Sequence, residues 1–133
     1  GATREIPEAI ATAYLSLLNS AAHHDKVTMQ QAAFSIGLID DSHSQEQIDA
    51  VMSIGMEACE AIRHQGPYDF GQSDLVTRLH EKGMALTLKH NFWHTPPADA
   101  LFIHRKLGGL FLLAKRLKAR VDMRKAASEW LQS

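Results

Sequence analysis

Apolar residues recur every three or four positions along almost the whole chain, and that spacing confines it to helices. Ile10, Ala13, Tyr14, Leu17 and Leu18 form one such stripe, on a helix predicted from about Pro7 to Ala22. Pro7 suits its first turn, where the N–H it lacks would go unpaired anyway. His23-His24-Asp25-Lys26 reads as a polar turn, after which Thr28 is expected to cap a short helix that stops at Gly37. Asp40-Asp41-Ser42-His43 follows as a loop. Ser44 with Gln47 matches a capping box for a longer helix whose buried face is Ile48, Val51, Met52, Gly55, Met56, Cys59 and Ile62, ending near Gly66-Pro67. A fourth helix starts between Gln72 and Leu75 with Ser73 as cap, and places Leu75, Leu79, Met84, Leu86 and Leu88 at its apolar positions. Trp93-His94-Thr95-Pro96-Pro97 ends it. Thr95 should cap a fifth helix reaching about Ala119, and Asp122 a last one holding Ala126, Ala127, Trp130 and Leu131. No stretch of four to eight residues alternates apolar and polar between turn residues, so no strand is expected. The fold class predicted is all-α: a compact bundle of about six helices, one domain over residues 1–133.

Composition supports a real core and removes several function classes. Hydrophobic residues make up 45% of the 133 and charged residues 22%, a globular balance. The net charge of −1 supplies no field for nucleic acid, so no nucleic-acid partner is expected. The single cysteine, Cys59, cannot form an intrachain disulfide and points to a reducing, cytoplasmic compartment. The longest apolar run is interrupted by His104, Arg105 and Lys106, so no membrane span is expected, though peripheral lipid contact is compatible with the basic C-terminal end around Lys115, Arg116, Lys118, Arg120, Arg124 and Lys125.

Four features carry potential chemistry. Asp69-Phe70-Gly71 spells the magnesium-binding signature of protein kinases, but no glycine-rich loop, strand lysine or catalytic loop precedes it. A structural role for Asp69 at a loop-to-helix junction, with its carboxylate near a helix N-terminus, is the better reading. His90 and His94 have a metal-ligand spacing without supporting ligands, and adjacent His23 and His24 face different ways, so no metal site is expected. Cys59 sits among Met52, Met56 and Ile62 and reads as a buried small hydrophobe. Gly108 and Gly109 lie inside the fifth helix, where each costs about 1 kcal/mol relative to alanine. Close approach of another helix or a ligand is the expected compensation, with Asp69, Asp74 or the loop acids as partners for the charged trio His104-Arg105-Lys106.

Three segments in order carry a family resemblance: Tyr68-Asp69-Phe70-Gly71-Gln72-Ser73-Asp74-Leu75; Phe92-Trp93-His94-Thr95-Pro96-Pro97 with Leu101 to Gly109; and Leu117-Lys118-Ala119-Arg120-Val121-Asp122. Together they resemble the C-terminal part of the AarF/UbiB family of atypical kinases. The N-terminal Gly1-Ala2-Thr3-Arg4-Glu5-Ile6, which has no Met, resembles the sequence just after the family's true Asp-Phe pair, which would put Gly1 at the glycine of the magnesium motif. The resemblance implies the helical rear of a kinase-like C-lobe. It also implies a longer parent that binds ATP and magnesium, has kinase or ATPase activity, serves ubiquinone and isoprenoid-lipid metabolism, and can associate with membranes.

The fragment itself is then expected to be non-catalytic and to hold no cofactor. It would support the rest of the parent chain and present an interaction surface, for which Asp69, Ser73, Asp74, His104, Arg105, Lys106, Gly108 and Gly109 are the candidate residues. The alternative is an independent helical module that binds a protein helix or an isoprenoid lipid, or dimerises through surface the missing lobe would cover.

Overall fold

The computed structural model describes residues 7–125. Over that range the order is α1 (Glu8–Ala22), α2 (Lys26–Ile36), α3 (Gln45–Ala58), α4 (Glu60–Arg63), β1 (Tyr68–Asp69), α5 (Leu75–His90), α6 (Ala98–Arg116) and β2 (Arg120–Val121). The all-α class agrees with the sequence pattern, though one expected helix is divided into α3 and α4, while Gly1 and the segment of Ala126, Ala127, Trp130 and Leu131 lie outside the described residues. No helix of the described residues is long and apolar enough to cross a membrane.

The first two helices form a hairpin. Pro7 precedes α1, and Ala11, Tyr14, Leu17, Leu18 and Ala21 give it a buried stripe. Asp25, rather than Thr28, caps α2: its carboxylate accepts the Thr28 N–H at 3.1 Å and the Thr28 hydroxyl at 2.6 Å. The helix starts three residues earlier than expected, which puts Thr28 on the donating side. Gly37 closes α2 at φ 88°. A Cβ there would also lie 2.8 Å from Cγ of Pro97, so the glycine is required both by its left-handed backbone and by the loop pressed against it.

The Ser44–Gln47 capping box opens α3 with both of its hydrogen bonds formed. The expected single helix to Gly66 is broken at Cys59 and resumes as α4. Cys59, Ala61 and Ile62 are all buried, a wider arc than one face of a straight helix can offer, and the break supplies the extra rotation.

Helix α5 pairs mainly with α3. Asp74 stands at its N-cap position without a side-chain capping bond, and Ser73 Oγ accepts the Leu75 N–H at 3.0 Å instead. Because one neighbour covers only part of the helix, Leu75 is buried while Met84 and Leu88, assigned to the apolar face from sequence, are exposed. Pro97, rather than Thr95, occupies the position before α6, with no side-chain cap. Helix α6 ends at Arg116, short of Ala119, because Lys118 turns to φ 51° and the Ala119 N–H returns to the Ala114 carbonyl at 2.9 Å. The chain then runs antiparallel to β1, pairing Tyr68 with Val121 and Asp69 with Arg120. This ribbon was not expected; strands of two residues are too short to show a period of two.

The core is continuous through these elements. Phe70, Met29, Ile36, Ile39, Leu75, Ile103 and Met123 are its largest fully buried side chains. Each contributes about 1.5–3 kcal/mol relative to exposure.

Candidate functional site

The Asp69-Phe70-Gly71 turn is built as a structural corner. Asp69 Oδ1 accepts the N–H of Gly71 at 3.0 Å and of Gln72 at 3.3 Å, so the carboxylate closes its own turn ahead of α5. Phe70 is 1% exposed, between the rings of Tyr68 and Phe111, and its N–H donates to the Ala119 carbonyl at 2.9 Å. Gly71 lets the returning chain come close: a Cβ there would meet Lys118 Cβ at 2.9 Å.

Ser73 and Asp74 join a polar network centred on Arg78. The guanidinium donates to Asp74 Oδ1 at 2.7 Å, to Glu60 Oε2 at 2.9 Å and to Glu57 Oε1. Lys82 adds a 2.6 Å contact to Glu57 Oε2. Tyr68 donates its hydroxyl to Glu60 and lies 2.5 Å from Ser73 Oγ. Lys115 donates to the Ser73 carbonyl at 2.8 Å, tying α6 to the same corner. Lys82 and Arg78 hold the Glu57 carboxyl below its usual range, and Arg78 does the same for Glu60. These groups satisfy one another and leave no acid or base poised for proton transfer.

On α6 the candidate residues stand apart from that network. His104 faces α1, with Nε2 2.7 Å from the Tyr14 hydroxyl and the two rings edge to face. Burial pushes the Tyr14 hydroxyl up and the His104 imidazole down, so both are neutral near pH 7. Arg105 and Lys106 are exposed, Lys106 lying over the Phe102 ring at 5.5 Å. The expected partners of this trio are engaged elsewhere, Asp69 in its turn and Asp74 with Arg78. Among the described residues no other helix packs on Gly108 or Gly109: a Cβ at either would meet nothing within 4 Å. The same helix exposes Leu110, Leu112, Leu113 and Leu117, at 37, 53, 53 and 69%. The stretch singled out from sequence through Gly108 and Gly109 therefore presents an apolar surface made by leucines that were not among the candidate residues.

Cys59 is buried in the core, and burial pushes its thiol up to about 11, as expected of a small hydrophobe there. His90 pairs with Glu46 at 3.1 Å rather than with His94. His94 reaches across the fold to Asp40 and His43. That grouping joins two loops far apart in sequence, so no local spacing announces it.

No protein-family model matches the chain. Curated proteins do. The chain is 30% identical over 122 residues, 92% of its length, to the atypical kinase coq-8, mitochondrial, of Caenorhabditis elegans. It is 28% identical over 128 residues, 93% of its length, to the atypical kinase COQ8B, mitochondrial, of Danio rerio. It is 28% identical over 135 aligned positions, 99% of its length, to the atypical kinase COQ8, mitochondrial, of Schizosaccharomyces pombe. The chain spans 16%, 20% and 22% of the lengths of these three relatives.

Proposed function

The chain belongs to the AarF/UbiB family of atypical kinases, and from that premise we propose that it is the C-terminal helical part of a longer kinase-like protein, supporting a catalytic core that it does not itself contain. The observation that carries this reading is the Asp69-Phe70-Gly71 corner. Its carboxylate is engaged by Gly71 and Gln72 N–H groups, and its phenylalanine is a core residue, so the motif's magnesium-binding letters serve packing here. Phosphoryl transfer depends on a phosphate-covering loop, a lysine and metal-holding acids arranged together. Among the described residues no such arrangement exists. ATP and magnesium binding, and a role in ubiquinone and isoprenoid-lipid metabolism, belong in this reading to the parent.

The exposed leucines of α6 are the interaction surface. Leu110, Leu113 and Leu117 recur at helical spacing on one side, and bare Gly109, one turn before Leu113, lets a partner approach the helix backbone there. The occupant proposed is the remainder of the same kinase-like chain. One buried cysteine and relatives named mitochondrial both suit a reducing interior, mitochondrial or cytoplasmic.

The gene around this sequence tests the reading. An in-frame Asp-Phe immediately ahead of residue 1, with a catalytic loop further upstream, supports it; unrelated sequence there overturns it. Co-expression of that upstream part with the chain adds a physical test. The two should co-purify, and Leu113→Asp with Leu117→Asp should separate them while leaving the chain folded. Retained pairing would remove the α6 face from the account. The rival reading, a free-standing module for a protein helix or isoprenoid lipid, requires a chain that dimerises in ultracentrifugation or floats with liposomes.

A further inference from the structure

The loop between α2 and α3 and the loop between α5 and α6 meet at one end of the bundle. Pro97 packs against Gly37, and His94 Nε2 lies 2.8 Å from the Gly37 carbonyl. A carbonyl only accepts, so Nε2 carries the proton and Nδ1 of neutral His94 is left with a free lone pair. That nitrogen faces Asp40 Oδ2 at 3.9 Å. His43 Nδ1 also carries a lone pair, since it accepts the Asp40 N–H at 3.0 Å, and it stands 3.4 Å from Asp40 Oδ1. One ligand atom from each of the three residues lies within 4.8 Å of the others.

We propose that Asp40, His43 and His94 form a binding site for a zinc-class divalent cation that staples these two loops. Two imidazole nitrogens and a carboxylate oxygen suit zinc and its first-row neighbours better than magnesium or calcium, which prefer all-oxygen shells. Tetrahedral bonds of about 2.0–2.1 Å place ligand atoms roughly 3.4 Å apart, so a pair at the 4.8 Å limit must close by about 1.4 Å. His94 Nδ1 and Asp40 Oδ2, at 3.9 Å, are within about 0.5 Å of that spacing. Binding at His43 Nδ1 exchanges its hydrogen bond from the Asp40 N–H for a metal bond.

The surroundings are those of a prepared ligand set. The His94 bond to a backbone carbonyl fixes its tautomer and ring orientation, the arrangement metal-ligating histidines use. Phe92 lies against the His43 ring at 4.7 Å, and the two imidazoles pack edge to face at 4.9 Å. The imidazole side chains are 10% and 23% exposed while the Asp40 side chain is 51% exposed, giving a sheltered nitrogen pair with an open approach on the carboxylate side. Ser42 donates to Asp40 Oδ1 from its N–H at 2.9 Å and from its hydroxyl, which occupies Oδ1 and leaves Oδ2 to the ion. Three protein ligands leave a fourth position for water.

Calorimetric titration of the full chain with zinc chloride in a weakly coordinating buffer tests the site, with cobalt(II) absorption reporting coordination. The expected result is about one tight equivalent, with affinity reduced roughly tenfold or more in Asp40→Asn and in His94→Gln. His90→Gln, four residues away and outside the cluster, should bind as the native chain does. Zinc should raise the melting temperature of the native chain and of His90→Gln but not of the two ligand variants. Asp40 is half-exposed and glutamine can still donate to the Gly37 carbonyl, and far-UV circular dichroism confirms that each variant is folded before titration. Absence of one-equivalent binding, undiminished binding in both ligand variants, or an equal loss in His90→Gln would overturn the proposal.

Discussion

Replacing Gly108 and Gly109 together by alanine should stabilise this chain. Both lie inside α6 with helical backbone, and neither has positive φ. An added Cβ at either meets no atom of the described residues within 4 Å, so the substitution introduces no clash with them. Glycine in an exposed helix interior is about 0.8–1.0 kcal/mol worse than alanine, chiefly through the backbone freedom it loses on folding. The two positions point in different directions and share no partner, so their effects should add to about 1.6–2 kcal/mol. For a chain of this size that corresponds to a rise in melting temperature of roughly 5–10 °C. Urea unfolding followed by circular dichroism at 222 nm would measure it, with a higher midpoint and an unchanged slope. A lower midpoint would refute the reasoning, because it would mean that something packs against these glycines and that α6 is not open on that side. The gain in stability also bears on function. A chain that keeps two costly glycines on an exposed apolar helix is best explained by a partner that needs the backbone bare, so the same double variant should bind the upstream part of the parent more weakly.

Phe70→Ala should cost about 3–5 kcal/mol, since the ring is fully buried between Tyr68 and Phe111; a loss under about 1 kcal/mol in chemical denaturation would show that the corner is not structural. Stability should fall as pH drops below about 6.5, because buried His104 has its folded value pushed below the usual 6.5 and the unfolded chain takes the proton first. The contribution is fully present above the unfolded value and is lost as pH falls through the folded one. His104→Gln should flatten the melting-temperature profile below about pH 6.5, and an unchanged profile would place the dependence elsewhere. A separate loss should follow below about pH 4.5, where Glu57 and Glu60, held low by Lys82 and Arg78, are forced to protonate; Arg78→Met should shrink it.

The helices were legible because their signals are local. Pro7, Gly37 and the Ser44–Gln47 box each act within one turn, and the stripe from Tyr14 to Ala21 repeats within one helix. Misassignments arose where two caps competed locally or where tertiary packing decided the outcome. Asp25 displaced Thr28 as cap because the helix began earlier than the apolar pattern alone indicates. Met84 and Leu88 have helical spacing but no neighbour covers them. The break at Cys59 answers the demand of the core on three of four successive residues. At the candidate site, Ser73 and Asp74 were found by their place in the motif, but Arg78, Glu57 and Glu60, which organise them, carry no local signature. His94 was considered with His90, four residues away, while its actual neighbours Asp40 and His43 arrive from a loop more than fifty positions earlier.

The central claim is that this chain is a supporting segment of an atypical kinase and lacks the nucleotide site. Isothermal titration of the purified chain with ATP and magnesium tests it directly. The account expects no saturable heat and no nucleotide-dependent shift in melting temperature. Stoichiometric binding at micromolar affinity would contradict it.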